Sequence, residues 1–169
     1  MVRAWFNNDG LPTVSNYDYE LDLRYARQAN TLEYEHHIEL SRRASLIELD
    51  GAFVFVQVGI DPDRTVDDQN RKDCLWIRKP FLERVAPLPH VIVHGHTVTE
   101  SRRPVIASNR IAIDTQVYTT GNLTTVIIDP VAKSVNFAWT TRSEFGVSVG
   151  SVEPIRSGSP EALLGCFRI

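Results

Sequence analysis

The fold of this chain is decided by two short apolar stretches, AFVFV at residues 52–56 and VIVHGHT at residues 91–97. Both contain an unbroken apolar run rich in β-branched or aromatic residues, which is the pattern of a strand buried on both faces. The second stretch then passes directly into two histidines, His94 and His96, with Gly95 between them. The two stretches therefore predict buried strands, and the second predicts a polar site where its strand ends.

The sequence downstream of these stretches predicts more strands, and the sequence between them predicts helices. Further strands are predicted at residues 110–113, 123–128 and 134–139. Asp129 and Pro130 lie between the last two strands and predict the turn of a hairpin. Residues 67–84 mix large apolar and polar side chains, and this mixture predicts short helical pieces interrupted at Pro80.

The two ends of the chain carry weaker patterns. Residues 1–50 are predicted to be a mainly helical or irregular lead-in, with apolar residues along 35–46 suggesting a short amphipathic helix. Residues 51–140 form the strand-rich part, and residues 141–169 are predicted to be an irregular tail. The whole chain is predicted to be a single α+β domain that is rich in strands after residue 50.

Composition and charge narrow the classes of function. The 169 residues include 18 basic and 21 acidic side chains, for a formal net charge of -3, and contain no basic run, so no nucleic-acid partner is expected. No apolar stretch approaches the roughly 20 residues that span a bilayer, and no signal-peptide pattern is visible. Cys74 and Cys166 predict two free thiols, with a single bridge left open. A cytoplasmic protein without a membrane partner is expected.

The histidine pair is the first candidate for chemistry. Imidazole is a common ligand for zinc, manganese and iron, and a strand end lies at a rim where loops gather ligands. Metal sites usually need three or four ligands, however, so His94 and His96 alone also fit two ordinary histidines that bond to the backbone. Both interpretations stay open for the pair taken by itself.

Two other segments carry weaker candidates. Arg78 follows the aromatic and apolar residues 74–77, and the paired N–H donors of its guanidinium are suited to binding a phosphate. An ordinary surface arginine is an equally good interpretation. Asp114 follows the predicted strand 110–113. Its carboxylate is suited to binding a metal or orienting a histidine, and a turn cap is the alternative.

Taken in order, these segments resemble the C-terminal half of a calcineurin-like metallophosphoesterase, of the serine/threonine phosphoprotein-phosphatase type and its bacterial and phage-like branch. The resemblance covers about residues 50–130. Its most specific parts are HGHT at 94–97, NRI at 109–111 and IDT at 113–115. It implies a partial metallophosphoesterase β-sandwich with flanking helices.

The resemblance also implies roles for individual residues. In that family, two divalent metal ions activate a water that attacks a phosphate ester in line. By resemblance, His96 is a ligand of the second metal ion and Asp114 a weaker one. The same resemblance implies that Arg78 binds the substrate phosphate, and that His94 lies beside His96 and tunes the site. Any metal bound is implied to be manganese, iron or zinc.

The sequence departs from the family beside this site. Gln57 stands where the family has a histidine ligand, and an amide oxygen is a poorer ligand for zinc or manganese than imidazole. Gln116 and Val117 follow Asp114 where the family has Gly-Ala, so a changed loop is expected. The family's N-terminal metal-binding motifs do not occur in these residues.

These departures predict a truncated or degenerate phosphoesterase with little or no activity alone and without a tightly bound metal. One alternative is a non-catalytic protein that binds phosphate, another anion or a partner through Arg78, His94 and His96. Another is one half of a split phosphatase completed by a second chain, against which Gln57 counts. Open strand edges also predict a homodimer. The substrate is predicted no further than a phosphorylated small molecule or protein.

Overall fold

The computed structural model describes Glu39 and residues 43–158, and the described residues from Ser45 onward belong to one compact unit. This unit is α+β, with two β-sheets and short helices. Its elements are β1 (Ile47–Asp50), β2 (Phe53–Val56), a 3-10 helix (Val66–Asp68), α1 (Arg71–Trp76), α2 (Lys79–Leu82), β3 (Val91–His94), β4 (Val105–Ile106), β5 (Arg110–Ala112), α3 (Val117–Thr120), β6 (Thr124–Asp129), β7 (Ser134–Ser143), β8 (Gly146–Ser151) and β9 (Ile155–Arg156).

The first sheet has the strand order β1-β2-β3-β5-β4-β9. Its centre is parallel, because β2 pairs with β3 and β3 pairs with β5, with Val56 beside His94 and His94 beside Ala112. β1 and β4 are antiparallel to their neighbours β2 and β5. Parallel strands end at the same edge of a sheet, so the residues that follow Val56, His94 and Ala112 meet at one edge.

Both faces of the first sheet are covered, which explains why its central strands are apolar without alternation. On one face, Val54 and Ile92 pack in a core with Phe81 of α2. On the other face, Phe53 shares a core with Phe137 of β7, so this face packs against the second sheet. The helices and the second sheet therefore lie on opposite sides of the first sheet.

The second sheet is an antiparallel meander with the order β6-β7-β8. The turn between β6 and β7 is closed by Asp129, whose Oδ1 accepts hydrogen bonds from the backbone N–H groups of Val131 and Ala132 at 2.9 and 2.8 Å. Phe137 and alternate residues of this hairpin face the shared core: Val126, Ile128, Val135 and Trp139. This confirms the predicted hairpin and its turn.

All five predicted strands are present, and their bounds differ from the prediction by one residue or by up to four at the end of β7. The helical pieces predicted within 67–84 are α1 and α2. The break between them falls at Ile77 and Arg78 rather than at Pro80. Pro80 lies in the first turn of α2, where its missing N–H has no intrahelical acceptor to lose.

The structure corrects two predictions made from the sequence. The lead-in over residues 1–50 ends in strand β1, and the tail predicted to be irregular from residue 141 contains β8 and β9. These strands are mostly exposed and are specified by pairing with a neighbour rather than by an apolar run of their own. The helix suggested over 35–46 lies outside the described residues, except that Glu39 and Arg43 are helical.

The structure bears in part on the predictions about the cysteines and about membrane spans. Cys74 is a free thiol and fully buried, and Cys166 lies outside the described residues. Within the described part of the chain, no helix has the length and apolar character needed to cross a membrane. The single-domain interpretation of residues 1–169 stays a prediction.

Candidate functional site

The carboxyl edge of the central strands β2, β3 and β5 brings together the loops that carry the predicted residues. The backbone N–H of Gly95 donates to the carbonyl of Gln57 at 3.1 Å, which ties the loop after β3 to the end of β2. The N–H of Thr99 donates to the carbonyl of Asp114 at 3.0 Å, which ties the same loop to the end of β5. Segments that are distant in sequence thus meet at this edge, which we call the strand-end edge.

His94, the last residue of β3, is turned into the protein rather than toward solvent. Its side chain is only 2% exposed, and its ring meets the ring of Phe81 edge-on with centroids 5.0 Å apart. Its Nδ1 lies 3.2 Å from the carbonyl oxygen of Gly95. A carbonyl only accepts, so in the neutral ring Nδ1 carries the proton and Nε2 keeps a lone pair. Nε2 is buried and has no hydrogen-bond partner among the described residues.

Burial holds His94 in this neutral form. It lowers the pKa of the imidazole to about 4, because the charged form loses its hydration. The hydrogen bond to the Gly95 carbonyl opposes this lowering of the pKa, the positive charge of Arg110 adds to it, and the Asp114 carboxylate opposes it, each with a smaller effect than burial. At neutral pH, His94 therefore offers a hydrogen-bond acceptor and no positive charge.

His96 has the opposite setting. It is exposed, and its backbone has a φ of 61°, in the left-handed region that residues other than glycine seldom adopt. Its ring meets the ring of Trp76 edge-on with centroids 6.2 Å apart. Trp76 ends α1 and is itself 67% exposed, so the histidine loop borders the helical segment on an open surface.

Arg78 lies on that same helical segment, two residues beyond Trp76. It is exposed, and its Nη1 donates to the carbonyl of Ile77 at 3.2 Å. No ion pair to Arg78 is present among the described residues. The remaining N–H groups of the guanidinium are therefore available for an anion.

Asp114 and Gln57 complete the set of predicted residues at the edge. Asp114 is half-buried, and its Oδ1 accepts a hydrogen bond from the backbone N–H of Gln116 at 2.9 Å. This contact is the turn cap that the sequence left open for Asp114, and it engages one of the two carboxylate oxygens. Gln57 directly follows β2 and is exposed.

Gln116, the replacement for a family glycine, adopts a glycine-like backbone with φ 62° and ψ 53°. Its Nε2 donates to the hydroxyl of Tyr118 at 3.0 Å, and its Oε1 is buried without a partner among the described residues. The backbone strain expected at this position is therefore present, because Gln116 adopts a left-handed conformation.

Few metal-ligating side chains meet at this edge among the described residues. Across residues 43–158, no three or more His, Cys, Asp or Glu side chains come together in a way that could hold a metal ion. The strand-end edge contributes the imidazole of His96, a carboxylate of Asp114 that is shared with a turn, and the weak amide oxygen of Gln57. Roughly seven or eight protein ligands are needed for a pair of hydrolytic metals.

The Asn109-Arg110 pair, part of the resemblance, has a structural contact that the sequence did not reveal. The Asn109 Nδ2 donates to the carbonyls of Arg84 and Ala86 at 2.9 and 3.0 Å. The Arg110 guanidinium donates to the carbonyls of Arg84 and Leu82 at 3.0 and 2.6 Å. The pair thus fastens the chain after α2 to β5. The only sequence signal was its position at the start of a strand.

A separate cavity of about 210 Å³ lies on the helical side of the first sheet. Its lining includes Leu49, Ile60, Leu88 and Ile92, with His90 at one wall. None of the predicted site residues lines it, so it is distinct from the strand-end edge.

Comparison with known proteins adds no relative: no family model, curated protein or solved structure matches this chain. The resemblance to metallophosphoesterases therefore depends on the residues of the chain itself.

Proposed function

We propose that this chain is a degenerate relative of the C-terminal half of calcineurin-like metallophosphoesterases, and that it does not hydrolyse phosphate esters by itself. The observation that carries the proposal is the parallel arrangement of β2, β3 and β5. This arrangement brings Gln57, the segment 94–96 and Asp114 to one edge of a sheet, in the order that the resemblance implies. A sheet that packs against a second sheet on one face and against helices on the other is also consistent with a partial phosphoesterase sandwich.

The chemistry of the donors supports the absence of hydrolysis. Hydrolysis in the family depends on a metal-activated water, whose pKa falls only when the metal is held tightly. At the strand-end edge, His96 is the one imidazole exposed to a ligand, since His94 is buried and Gln57 supplies an amide. Such a set does not bind manganese, iron or zinc tightly, and the nucleophile is not formed. The cytoplasm remains the expected setting.

Metal analysis together with a phosphatase assay tests this proposal. The purified chain is loaded with manganese, its metal content is measured after desalting, and its hydrolysis of p-nitrophenyl phosphate is followed. We expect no stoichiometric metal and no turnover above the rate without protein. Two equivalents of metal with turnover that disappears in His96→Ala, but persists in the control His90→Ala, would overturn the proposal.

A second candidate, binding of a phosphate group without hydrolysis, is favoured by the exposed guanidinium of Arg78, which keeps N–H groups available beside the one that donates to Ile77. Arg78 is exposed and lies two residues beyond Trp76, whose ring meets that of His96, and arginine binds phosphate through paired N–H donors. His94 adds little to this binding, because its ring is buried and its unprotonated Nε2 can only accept a hydrogen bond, as phosphate oxygens do. The phosphate-binding candidate therefore depends on Arg78 and His96.

Titration with inorganic phosphate and with a phosphoserine peptide tests this candidate. Each ligand is expected to raise the thermal stability of the chain in a saturable way, and Arg78→Ala is expected to abolish the effect. The matched control is Arg71→Ala, which removes an exposed arginine from the same helical segment. An unchanged melting temperature in millimolar phosphate, or an equal loss in both variants, would contradict it.

The split-enzyme alternative has no observation of this kind in its favour. It needs a second chain to supply the other metal ligands, and Gln57 would leave even the assembled site one imidazole short.

A further inference from the structure

We propose that the chain forms a two-fold homodimer through β8, in which the strand pairs in antiparallel fashion with the same strand of a second copy. The pairing is centred on Ser148. This inference is independent of the proposed function, because β8 contains none of the residues of the strand-end edge.

β8 is an unprotected edge strand. It pairs with β7 on one side, and no strand among the described residues pairs with its other side. All six of its residues are exposed, including Val147 at 66% and Val149 at 73%. Edge strands of stable monomers usually carry charged residues, a proline or a bulge that blocks pairing. The sequence GVSVGS of β8 has neither a charge nor a proline, and its pairing with β7 is continuous.

The register of the hairpin determines which backbone groups face outward. Glu144 and Phe145 form a two-residue hydrogen-bonded turn, so the closing pair is Ser143 and Gly146. Hydrogen-bonded and non-hydrogen-bonded pairs alternate along an antiparallel ladder. Counted from Gly146, the N–H and C=O groups of Val147 and Val149 therefore point away from β7, toward the open edge.

The strand is self-complementary, and this identifies the second copy as its partner. Residues 146–150 read GVSVG, which is the same in both directions. Antiparallel pairing about Ser148 places Val147 opposite Val149 of the partner subunit and Val149 opposite the partner's Val147. These are the residues with outward backbone groups, so each pair can exchange two hydrogen bonds. An isologous contact of this kind closes after two copies.

The side chains fit the same register. Val147 and Val149 share one face of the second sheet, where their neighbours on β7 are Arg142 and Thr140. Leu123, 55% exposed, lies on the far side of Thr140, whose backbone N–H donates to the Leu123 carbonyl at 3.0 Å. Pairing of two copies joins four valines into one apolar cluster across the symmetry axis. The cluster covers part of an apolar surface that a single copy leaves in water.

Sedimentation velocity over a range of protein concentrations tests the dimer. We expect the full chain to sediment as a dimer at high concentration and to dissociate on dilution. Val149→Lys is expected to give a monomer at every concentration, because the lysines would lie in the paired edge. Val131→Lys is the control, since Val131 is 91% exposed in the turn between β6 and β7, and it is expected to leave the dimer intact.

A cross-linking experiment tests the register itself. The proposed axis places Ser148 directly opposite the partner's Ser148 in a non-hydrogen-bonded pair, whose Cα atoms lie about 4.5 Å apart in such ladders. Ser148→Cys in a Cys166→Ser background is therefore expected to form an inter-chain disulfide under mild oxidation. Ser134→Cys in the same background is expected to stay monomeric on a non-reducing gel.

Either of two results overturns the proposal. One is a chain that is monomeric at all concentrations. The other is a dimer that persists in Val149→Lys and gives no cross-link through Ser148→Cys. Circular dichroism spectra of the variants establish that they are folded. This is expected for the substitutions at Val131, Ser134, Ser148 and Val149, because those side chains are exposed or half-buried.

Discussion

At the scale of the residue, His94 links the strand-end edge to the pH dependence of stability. Its pKa is about 4 in the folded chain against about 6.5 when unfolded. At a pH between these two pKa values, His94 is protonated in the unfolded chain and neutral in the folded chain. Lowering the pH therefore favours unfolding. The contribution of His94 is complete above pH 6.5 and is lost as the pH falls toward 4. At pH 5 the loss is about 2 kcal/mol at 1.36 kcal/mol per pKa unit.

Urea denaturation at pH 5 and pH 7.5 measures this effect. His94→Phe keeps an aromatic ring against Phe81 and has nothing to titrate, so its stability is expected to change less over this range, by about 2 kcal/mol. His96→Gln, which removes an exposed histidine from the same loop, is expected to keep the pH dependence of the parent chain. Equal pH dependence in the parent chain and His94→Phe would contradict a neutral, buried His94.

Gln116 offers a second residue-scale prediction. Its left-handed backbone is disfavoured for a residue with a Cβ and costs nothing in glycine. Gln116→Gly is therefore expected to raise the free energy of unfolding by about 0.5 to 1 kcal/mol, because it removes a strain of about 1 to 2 kcal/mol and adds an entropy cost of about 0.5 to 1 kcal/mol. Thr119→Gly in α3 is the control, and it is expected to lower stability by up to about 1 kcal/mol. A Gln116→Gly chain that is less stable than its parent would show that the Gln116 side chain matters more than the strain.

The sequence allowed the positions of the site residues to be predicted, but not their orientations. Polar residues after apolar runs were enough to expect that His94, His96 and Asp114 lie at strand ends. That these strand ends share one edge depends on the parallel pairing of β2, β3 and β5. The inward turn of His94 depends on Phe81, which is 13 residues away in the sequence and gives no local signal. The left-handed backbone of His96 was also not predictable, since histidine rarely adopts the conformation that glycine commonly adopts.

At the scale of the element, the docking of α2 on the end of β2 depends on one glycine. A Cβ built on Gly59 would lie 2.4 Å from Cδ1 of Phe81, and Phe81 is fully buried. Gly59→Ala is therefore expected to lower the free energy of unfolding by about 1 to 3 kcal/mol, the usual cost of overpacking. Gly95→Ala is a matched control, because its Cβ would meet only the Gln57 carbonyl at an ordinary 3.7 Å.

Thermal and urea denaturation of the two alanine variants make this comparison. The double variant Gly59→Ala with Phe81→Leu is expected to be less destabilised than the sum of its single variants, because the smaller side chain relieves the clash. If Gly59→Ala is no less stable than Gly95→Ala, Phe81 is not packed on Gly59.

Strands with at least one buried face were predicted from their apolar residues, and the fully exposed strand β8 was not. β2 and β3 carry long apolar runs because helices cover one face and a sheet covers the other. β8 alternates valine with small residues over a short span and buries nothing, so its pattern resembles that of a loop. Pairing with β7 produces this strand, and pairing partners are not encoded in a local window.

At the scale of the whole molecule, one face of the β6-β7 hairpin joins the two sheets into a single core. Phe137 is 3% exposed and lies in the cluster that contains Phe53, Val93 and Ile111 of the first sheet. Ile127 lies on the opposite face of the same hairpin and is 50% exposed. The stability of the two-sheet arrangement should therefore be far more sensitive to one of these side chains than to the other.

Phe137→Ala is expected to lower the free energy of unfolding by about 3 to 5 kcal/mol, because it removes a buried ring and leaves a cavity between the sheets. Ile127→Ala is expected to cost less than about 1 kcal/mol, since much of that side chain is already in water. Urea unfolding followed by both circular dichroism and tryptophan fluorescence measures the two values and reports whether the sheets unfold together. A loss in Phe137→Ala no larger than that in Ile127→Ala would mean that this face of the hairpin does not hold the sheets together.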